Sequence, residues 1–218
     1  MNSSSQSQTT CEKSHKYPKV AVFIDGFNLY FGLKDSGLER FLWLDLWRLG
    51  EQFLMPGQSL ASVYYFTAIV TDSLKRKRQT NYLEALECHT NVSTIFGNFQ
   101  RNPVSCFKCG HTWDKAEEKK SDVAPATQVL CGAVNNAYDA AVLVTADSDL
   151  IPPVQAVKSN WPDKAIFARF PPGRHSHELK LQCDGTKRIN ESELRRSQLP
   201  DTVTKEDGYE LKRPATWR

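Results

Sequence analysis

The chain has 218 residues, of which 40% are hydrophobic and 24% charged, and its formal net charge is +3 at pH 7. This length and composition exclude a disordered chain and favour one well-packed core, and six cysteines are too few for a disulfide scaffold. No apolar run approaches the roughly 20 residues that span a bilayer, and the polar start MNSSSQSQTT lacks the apolar stretch of a secretory signal, so we expect a cytoplasmic protein.

The pattern along the chain predicts one domain over residues 18–198, preceded by a flexible, polar leader over residues 1–17. The first strand is predicted at residues 20–24, because a continuous apolar, β-branched run is typical of a strand buried on both faces of a parallel sheet. Similar runs predict strands at residues 62–67, 92–96, 141–145 and 165–168. Helices are predicted at residues 43–54, 73–87, 122–137, 149–158 and 191–198. Residues 199–218 are predicted to form an irregular tail on the surface.

The alternation of strands and helices predicts the fold class. It indicates an α/β protein, a three-layer α/β/α sandwich built around a doubly wound, mostly parallel sheet. In such sheets ligands bind beyond the carboxyl ends of the strands, so residues that follow strands are the first candidates for function.

Four aspartates stand at such positions. Asp25 ends the first strand, Asp147 and Asp149 follow the strand at 141–145, and Asp122 opens the helix that precedes it. Like charges about 4 Å apart repel by roughly 4 kcal/mol at an effective dielectric near 20, so a cluster of ionised acids needs a cation. Mg²⁺ or Mn²⁺ prefers oxygen ligands and suits phosphate substrates. Taken alone, Asp25 is typical of a turn and Asp122 of a helix N-cap, and residues 147–149 are typical of a turn with a cap at Ser148 or Asp149.

Three blocks of sequence resemble the signature blocks of NYN-domain proteins, a branch of the PIN-like nuclease superfamily. They are FIDGFNLY at 23–30, EKKSDVAPATQVL at 118–130 and NAYDAAVLVTADSDLIPPVQAV at 136–157. The similarity extends over roughly residues 19–170. It implies a PIN-like fold and a divalent-metal-dependent ribonuclease that hydrolyses RNA phosphodiesters by metal-activated water.

The same resemblance implies roles for individual residues. Asp25, Asp122 and Asp147 are expected to bind the metal, and Asp149 binds it directly or through water. Asn28 is expected to orient the site or the scissile phosphate.

Three further positions in these blocks have open roles. Lys119, with Glu118, matches an acidic-basic pair of the family and is expected to support the substrate, or is an exposed charge pair. Ser148 is expected to contact the carboxylates or the substrate, or to end the strand. Many family members carry Gly where this chain has Ala146, which narrows the approach of a substrate backbone.

Cys106 and Cys109 form a CxxC pair in a predicted insertion at about residues 100–117. Such a pair is similar to a zinc knuckle, but it supplies only two of the four ligands of a structural zinc site. The nearest residues that complete the site are Cys88, His89 and His111. The alternatives for the two cysteines are unmetallated thiols and a redox pair.

A basic run, Lys75, Arg76, Lys77 and Arg78, follows a predicted strand end on the same rim as the aspartates. The run predicts contacts with phosphates that weaken as the salt concentration rises. The alternative interpretation is that these residues form the solvated start of a helix. The expected partner is single-stranded or structured RNA, with single-stranded DNA as a further substrate. The sequence leaves the oligomeric state open, and a dimer is compatible with it.

Three other functions fit parts of the pattern. A non-catalytic RNA-binding or scaffold module would keep the fold, although the full set of four acids favours catalysis. Another metal-dependent phosphoryl-transfer hydrolase, such as a phosphatase with Asp25 as nucleophile, would want an acid where Phe27 stands. A zinc-stapled interaction protein would leave the acidic residues unexplained.

Overall fold

The computed structural model describes residues 18–105, 107–119 and 123–217, with the backbone alone for residues 98–104 and 113–119. The strands are β1 (Lys19–Asp25), β2 (Ser59–Thr67), β3 (Ser93–Phe96), β4 (Asn98–Ser105), β5 (Thr112–Lys119), β6 (Ala140–Val144), β7 (Ala165–Phe170), β8 (Gly185–Arg188), β9 (Thr202–Thr204) and β10 (Glu210–Lys212). The helices are α1 (Gly26–Asp35), α2 (Leu46–Glu51), α3 (Ser73–His89), α4 (Val123–Val134), α5 (Ile151–Asn160), α6 (His177–Gln182) and α7 (Glu191–Arg196). Short 3₁₀ turns span Glu39–Phe41, Ser148–Leu150 and Ala215–Trp217. Over these residues, no helix is both long enough and apolar enough to cross a membrane.

Six parallel strands form the central sheet in the order β3-β2-β1-β6-β7-β8. From β1 the chain moves outward through β2 to β3, and it then returns to β6 and builds the other half of the sheet. The strand order therefore reverses between β1 and β6. This topological switch point is where doubly wound sheets bind ligands, because the loops that leave the two strands diverge and open a crevice.

The sheet is buried on both faces, as the apolar run in β1 predicts. Val20, Val22 and Ile24 belong to one core, which also contains apolar side chains of α1, α2, α3 and α7. Ala21 and Phe23 belong to a second core on the opposite face, shared with α4, α5 and α6. Because side chains alternate between the faces of a strand, one continuous apolar strand serves both cores. The predicted three-layer α/β/α sandwich is confirmed.

The five predicted strands are all present, but two helical assignments differ from the prediction. Helix α1 was not predicted; it begins at Gly26, directly after β1. Helix α2 is shorter than the predicted helix at 43–54, because the chain reaches it in an extended conformation and Asp45 caps its first turn. The Asp45 carboxylate accepts a hydrogen bond from the backbone N of Arg48 at 2.9 Å.

The expectation of an irregular tail at the end of the chain is wrong. Strands β9 and β10 form an antiparallel hairpin, and the last 3₁₀ turn buries Trp217, which is only 8% exposed. The Trp217 ring packs against Trp43 and Tyr82, with centroid separations of 6.4 and 6.0 Å. The Trp43 indole N–H also donates to the carbonyl of Pro200 at 2.7 Å. Val203, Leu211 and Trp217 of this segment are buried, whereas Tyr209 is exposed.

The predicted insertion at about residues 100–117 coincides with an antiparallel hairpin of β4 and β5. The pairing runs from Asn98 opposite Lys119 to Ser105 opposite Thr112. The hairpin forms a separate two-stranded sheet and adds no strand to the central one.

Candidate active site

Asp25 lies at the switch point and links the ends of two strands. It is the last residue of β1 and the N-cap of α1, so its Oδ1 accepts a hydrogen bond from the backbone N of Asn28 at 2.9 Å. Its Oδ2 accepts a hydrogen bond from the hydroxyl of Thr145, which follows β6, at 3.1 Å. Thr145 is 1% exposed, so a buried donor holds this carboxylate in place.

Gly26 allows the chain to turn directly from β1 into α1. A Cβ at this position would lie 2.6 Å from the carbonyl oxygen of Phe66 and 2.8 Å from the Tyr65 ring. Only glycine fits there, because neither the strand backbone nor the buried ring can move aside cheaply. The close packing of α1 on β2 therefore depends on Gly26.

The loop after β6 is braced against the same helix. The backbone N of Ala146 donates to the side-chain oxygen of Asn28 at 3.1 Å, and the backbone N of Asp147 donates to the Thr145 hydroxyl at 3.0 Å. Asn28 thus orients the loop that carries the later aspartates. This contact agrees with an orienting role for Asn28, although whether it also contacts a phosphate stays a prediction.

Asp147 is the N-cap of the 3₁₀ turn Ser148–Leu150, and its Oδ1 accepts a hydrogen bond from the backbone N of Asp149 at 2.9 Å. Asp25 and Asp147 are therefore both caps, whereas the simpler interpretation of the sequence places Asp25 in a turn and the later cap at Ser148 or Asp149. Capping uses only one oxygen of Asp147, and the other forms no hydrogen bond with any described residue. A structural role and a binding role are compatible in one side chain.

Three of the four predicted acids meet in one small cavity. Asp25, Asp147 and Asp149 line a cavity of about 30 Å³ together with side chains of β2, the β3 end and the start of α4. About 30 Å³ is the volume that one water molecule occupies in the liquid. Ala124 and Pro125 of α4 form part of its wall, whereas Asp122 lies outside the described residues.

The charge in this cavity is poorly compensated. Burial raises the pKa of Asp25 above its ordinary value, and the negative charge of Asp147 raises it further. The hydrogen bonds from the backbone of Asn28 and from the Thr145 hydroxyl lower it, but they do not outweigh burial. The raised pKa therefore reflects mainly the burial of the carboxylate, and a bound cation would stabilise its ionised form.

The donor set suits a hard divalent cation, although the described residues do not form a ligand set. Among them, no three His, Cys, Asp or Glu side chains are placed together so that they hold a metal ion. One reason is that Asp147 turns Oδ1 toward the backbone of Asp149. The carboxylate oxygens and the raised pKa of Asp25 nevertheless fit Mg²⁺ or Mn²⁺, which prefers such ligands.

Helical geometry divides the predicted basic run between two faces of α3. Lys75 and Arg78 line a large cavity next to the acidic one, whereas Arg76 and Lys77 line an open groove on the other side of the helix. The run therefore does not act as one patch. Ser148 is exposed on the rim, and the side chain of Lys119 lies outside the described part of the chain.

The large cavity was not predicted from the sequence. It has a volume of about 250 Å³ and lies between α1, β2, α3 and the last 3₁₀ turn. Phe27 and Thr67 belong to the walls of both this cavity and the acidic cavity. The available signal was the helical spacing of aromatic residues after Asp25, but α1 itself was not anticipated.

The predicted zinc ligands belong to two separate elements. Cys88 and His89 end α3, whereas Cys109 and His111 lie between β4 and β5. Cys88 and Cys109 are both exposed free thiols. Cys106 is outside the described residues. Among the residues that the structure describes, no three potential ligands come together between these elements, so a zinc site stays a prediction.

Comparisons with known proteins identify a family and a similar fold. The model of the NYN domain family matches residues 19–190. The chain is 28% identical over 227 aligned positions to 6-hydroxy-3-succinoylpyridine 3-monooxygenase HspA of Pseudomonas putida, an alignment that covers 85% of this chain and 71% of that protein. It is similar in fold to a crystal structure of a protein of unknown function from Vibrio parahaemolyticus. That similarity has a TM-score of 0.57 at 16% identity and covers 86% of this chain and 99% of the other.

Proposed function

The chain belongs to the NYN domain family, and from this premise we propose that it is a divalent-metal-dependent nuclease that hydrolyses RNA phosphodiester bonds. One observation carries the proposal: Asp25 from the end of β1 and Asp147 and Asp149 from the loop after β6 line one cavity at the switch point of the sheet. Carboxylates gathered at this position suit a phosphate substrate only together with a cation.

Asp25, Asp147 and Asp149 are the proposed ligands of Mg²⁺ or Mn²⁺, with Asp122 as the further ligand that family membership implies. A divalent cation bound there would neutralise phosphate charge, activate a water molecule and stabilise the leaving oxygen. The protein supplies the orientation. The Thr145 hydroxyl holds Asp25, and Asn28 holds the loop that carries Asp147.

The overall reaction is the addition of water across a phosphodiester. A water oxygen forms a bond to phosphorus, one P–O ester bond breaks, and the departing ribose oxygen receives a proton. No covalent intermediate with the protein is needed. Asp25 ends β1, and its carboxylate accepts hydrogen bonds from Asn28 and from Thr145 after β6, an arrangement that suits a fixed ligand better than an attacking nucleophile.

Cleavage of labelled RNA and single-stranded DNA by the purified protein, with Mn²⁺, Mg²⁺ or EDTA, tests the proposal. Asp25→Asn and Asp147→Asn should each reduce the cleavage rate at least about a hundredfold, because each removes a charged ligand. Asp163→Asn, which changes an exposed turn residue in the same way, should leave the rate unchanged. Cleavage that persists in EDTA and in both site variants would reject the mechanism.

A second candidate activity follows from the relative in Pseudomonas putida, whose name describes a monooxygenase of a substituted pyridine. The apolar cavity of about 250 Å³ beside the acids offers room for a single aromatic ring. Such a reaction would place one atom of O₂ on the ring and release the other as water, with two electrons from a reduced nicotinamide or flavin. Oxygen uptake with a hydroxypyridine and NADH distinguishes it from RNA hydrolysis, which consumes no oxygen.

A further inference from the structure

The large cavity has the composition of a site for a flat aromatic ring. Its wall contains six aromatic side chains, Phe27, Tyr30, Phe31, Tyr65, Tyr82 and Trp217. Its volume of about 250 Å³ is smaller than the roughly 300–1,000 Å³ of sites for drug-sized ligands. The cavity therefore suits one ring system rather than a larger molecule.

The aromatic residues at the edge of the cavity are accessible. Phe31 is 42% exposed, and its ring lies 6.2 Å from that of Phe27 in a stacked arrangement and 5.2 Å from that of Tyr30. The deeper rings have structural partners, since the Tyr82 hydroxyl donates to the carbonyl of Leu44 at 2.8 Å. Phe31 is thus the ring that an incoming ligand can stack on without disturbing the core.

The mouth of the cavity is basic. Lys34, Lys75 and Arg78 line it, and the one acid among its lining residues is Asp72. The Asp72 carboxylate caps α3 by accepting a hydrogen bond from the backbone N of Lys75 at 2.8 Å. Within the described part of the chain, neither Lys75 nor Arg78 forms an ion pair with its side chain. The aromatic wall therefore meets a rim that attracts an anionic group.

The position of the cavity connects it to the acids. Phe27 and Thr67 line both cavities, and Gly26, which also lines the large one, directly follows Asp25. A ring held in the large cavity would therefore place the chain attached to it at the entrance of the acidic cavity. A free aromatic acid would occupy the large cavity alone, whereas a nucleotide within a strand would extend from it to the acidic cavity.

We propose that the large cavity binds one unstacked base of single-stranded RNA, while Lys75 and Arg78 contact a phosphate of the same strand. This inference rests on the proposed nuclease function and specifies its substrate: a strand in which a base is free to leave its neighbours. Duplex RNA is excluded because its bases are paired and stacked. The base fixes the register of the strand, so that one phosphodiester lies over Asp25.

Binding measured in EDTA tests the pocket without cleavage. The probe is a short oligoribonucleotide with a single 2-aminopurine, whose fluorescence changes when the base leaves its neighbours and stacks on a protein ring. Phe31→Ala should weaken binding about tenfold, since stacking on aromatic residues contributes on this scale. Tyr209→Ala removes an exposed ring that lines the open groove on the other face of α3, and it should have no effect.

A second pair of variants tests the basic rim. Lys75→Ala and Lys77→Ala remove the same charge from the same helix, but only Lys75 lines the cavity. We expect Lys75→Ala to weaken binding several-fold more than Lys77→Ala and to reduce the dependence of the Kd on salt concentration. Equal losses in the two variants, with no change in Phe31→Ala, would overturn the inference.

Cleavage of a series of RNAs with one abasic position each separates the two proposals. If the pocket selects the register, one abasic position at a fixed distance from the cleaved bond reduces kcat/KM about tenfold and the others do not. Metal-dependent cleavage with a flat profile rejects the base pocket and leaves the nuclease function intact. Probe binding in EDTA that depends on Phe31, together with no cleavage of any RNA in Mn²⁺ or Mg²⁺, supports the base pocket and rejects the nuclease function. Benzoate that displaces the probe more effectively than a nucleoside monophosphate contradicts a nucleotide site.

Discussion

The Thr145 hydroxyl donates a hydrogen bond to the Asp25 carboxylate, Oγ1 to Oδ2, at 3.1 Å, although the two residues are 120 positions apart in the chain. The same hydroxyl accepts a hydrogen bond from the backbone N of Asp147. One buried side chain therefore links the carboxylate at the end of β1 to the backbone of the loop that follows β6.

Thr145→Val removes this hydroxyl and keeps the shape of the side chain. The free energy of unfolding should fall by about 1–3 kcal/mol, because the backbone N of Asp147 loses its partner in a buried site. Cleavage should fall more than tenfold, since Asp25 loses the donor that holds it. Thr145→Ser keeps the hydroxyl and serves as the control. If the two variants have the same free energy of unfolding and the same cleavage rate, the hydroxyl does not position the site.

Asp25 predicts a specific dependence of stability on pH in metal-free protein. Its folded pKa is raised above the ordinary value of 3.8, so the folded state binds the proton more tightly than the unfolded state does. The stability that the Asp25 carboxyl contributes is fully present below its pKa in the unfolded state. This contribution is lost as the pH rises through its pKa in the folded state. Asp25→Asn, which cannot ionise, should therefore be more stable than the parent at pH 7 in EDTA.

Chemical denaturation at pH 3 and pH 7 checks this sign. The advantage of Asp25→Asn should shrink at pH 3, where the parent carboxyl is protonated in both states. Asp163→Asn, which makes the same change at an exposed turn, is the matched control. A parent protein that is more stable than Asp25→Asn at pH 7 in EDTA would contradict the raised pKa.

Mn²⁺ should stabilise the folded protein if the acidic cavity binds it. At a concentration about 100 times the Kd, a ligand that binds only the folded state adds about 2.7 kcal/mol. Asp147→Asn should lose most of the resulting increase in Tm, and Asp163→Asn should retain it. An equal increase in all three proteins, measured by calorimetry, would place the bound Mn²⁺ elsewhere.

Trp217 ties the end of the chain to the core and to the cavity. Trp217→Ala should lower the free energy of unfolding by about 3–5 kcal/mol, because it leaves a void between Trp43 and Tyr82. It should also weaken binding of the 2-aminopurine probe, since Trp217 lines the cavity. Tyr209→Ala, on the exposed hairpin, is the control for stability. A loss below about 1 kcal/mol would show that the terminal turn is loosely attached.

Much of the fold follows from local patterns. The apolar run of β1 predicts a strand covered on both faces, and the apolar residues of β6 and β7 predict its neighbours in the same way. The terminal hairpin escaped prediction because its strands are three residues long, and each buries a single apolar side chain, Val203 or Leu211, against distant elements of the core. Short segments carry too little periodic signal to be recognised by themselves.

The sequence by itself determined the family, the order of the main elements and the acids at the strand ends, because these depend on neighbours a few positions away. Only the tertiary structure decided that Thr145 holds Asp25 and that an aromatic cavity adjoins the acids. It also decided that the basic run divides, with two of its side chains lining that cavity and two lining the open groove. The physical reason is that a cavity is formed by surfaces of elements far apart in the chain. Its shape depends on how α1, β2, α3 and the terminal turn pack together, and no single segment contains that information.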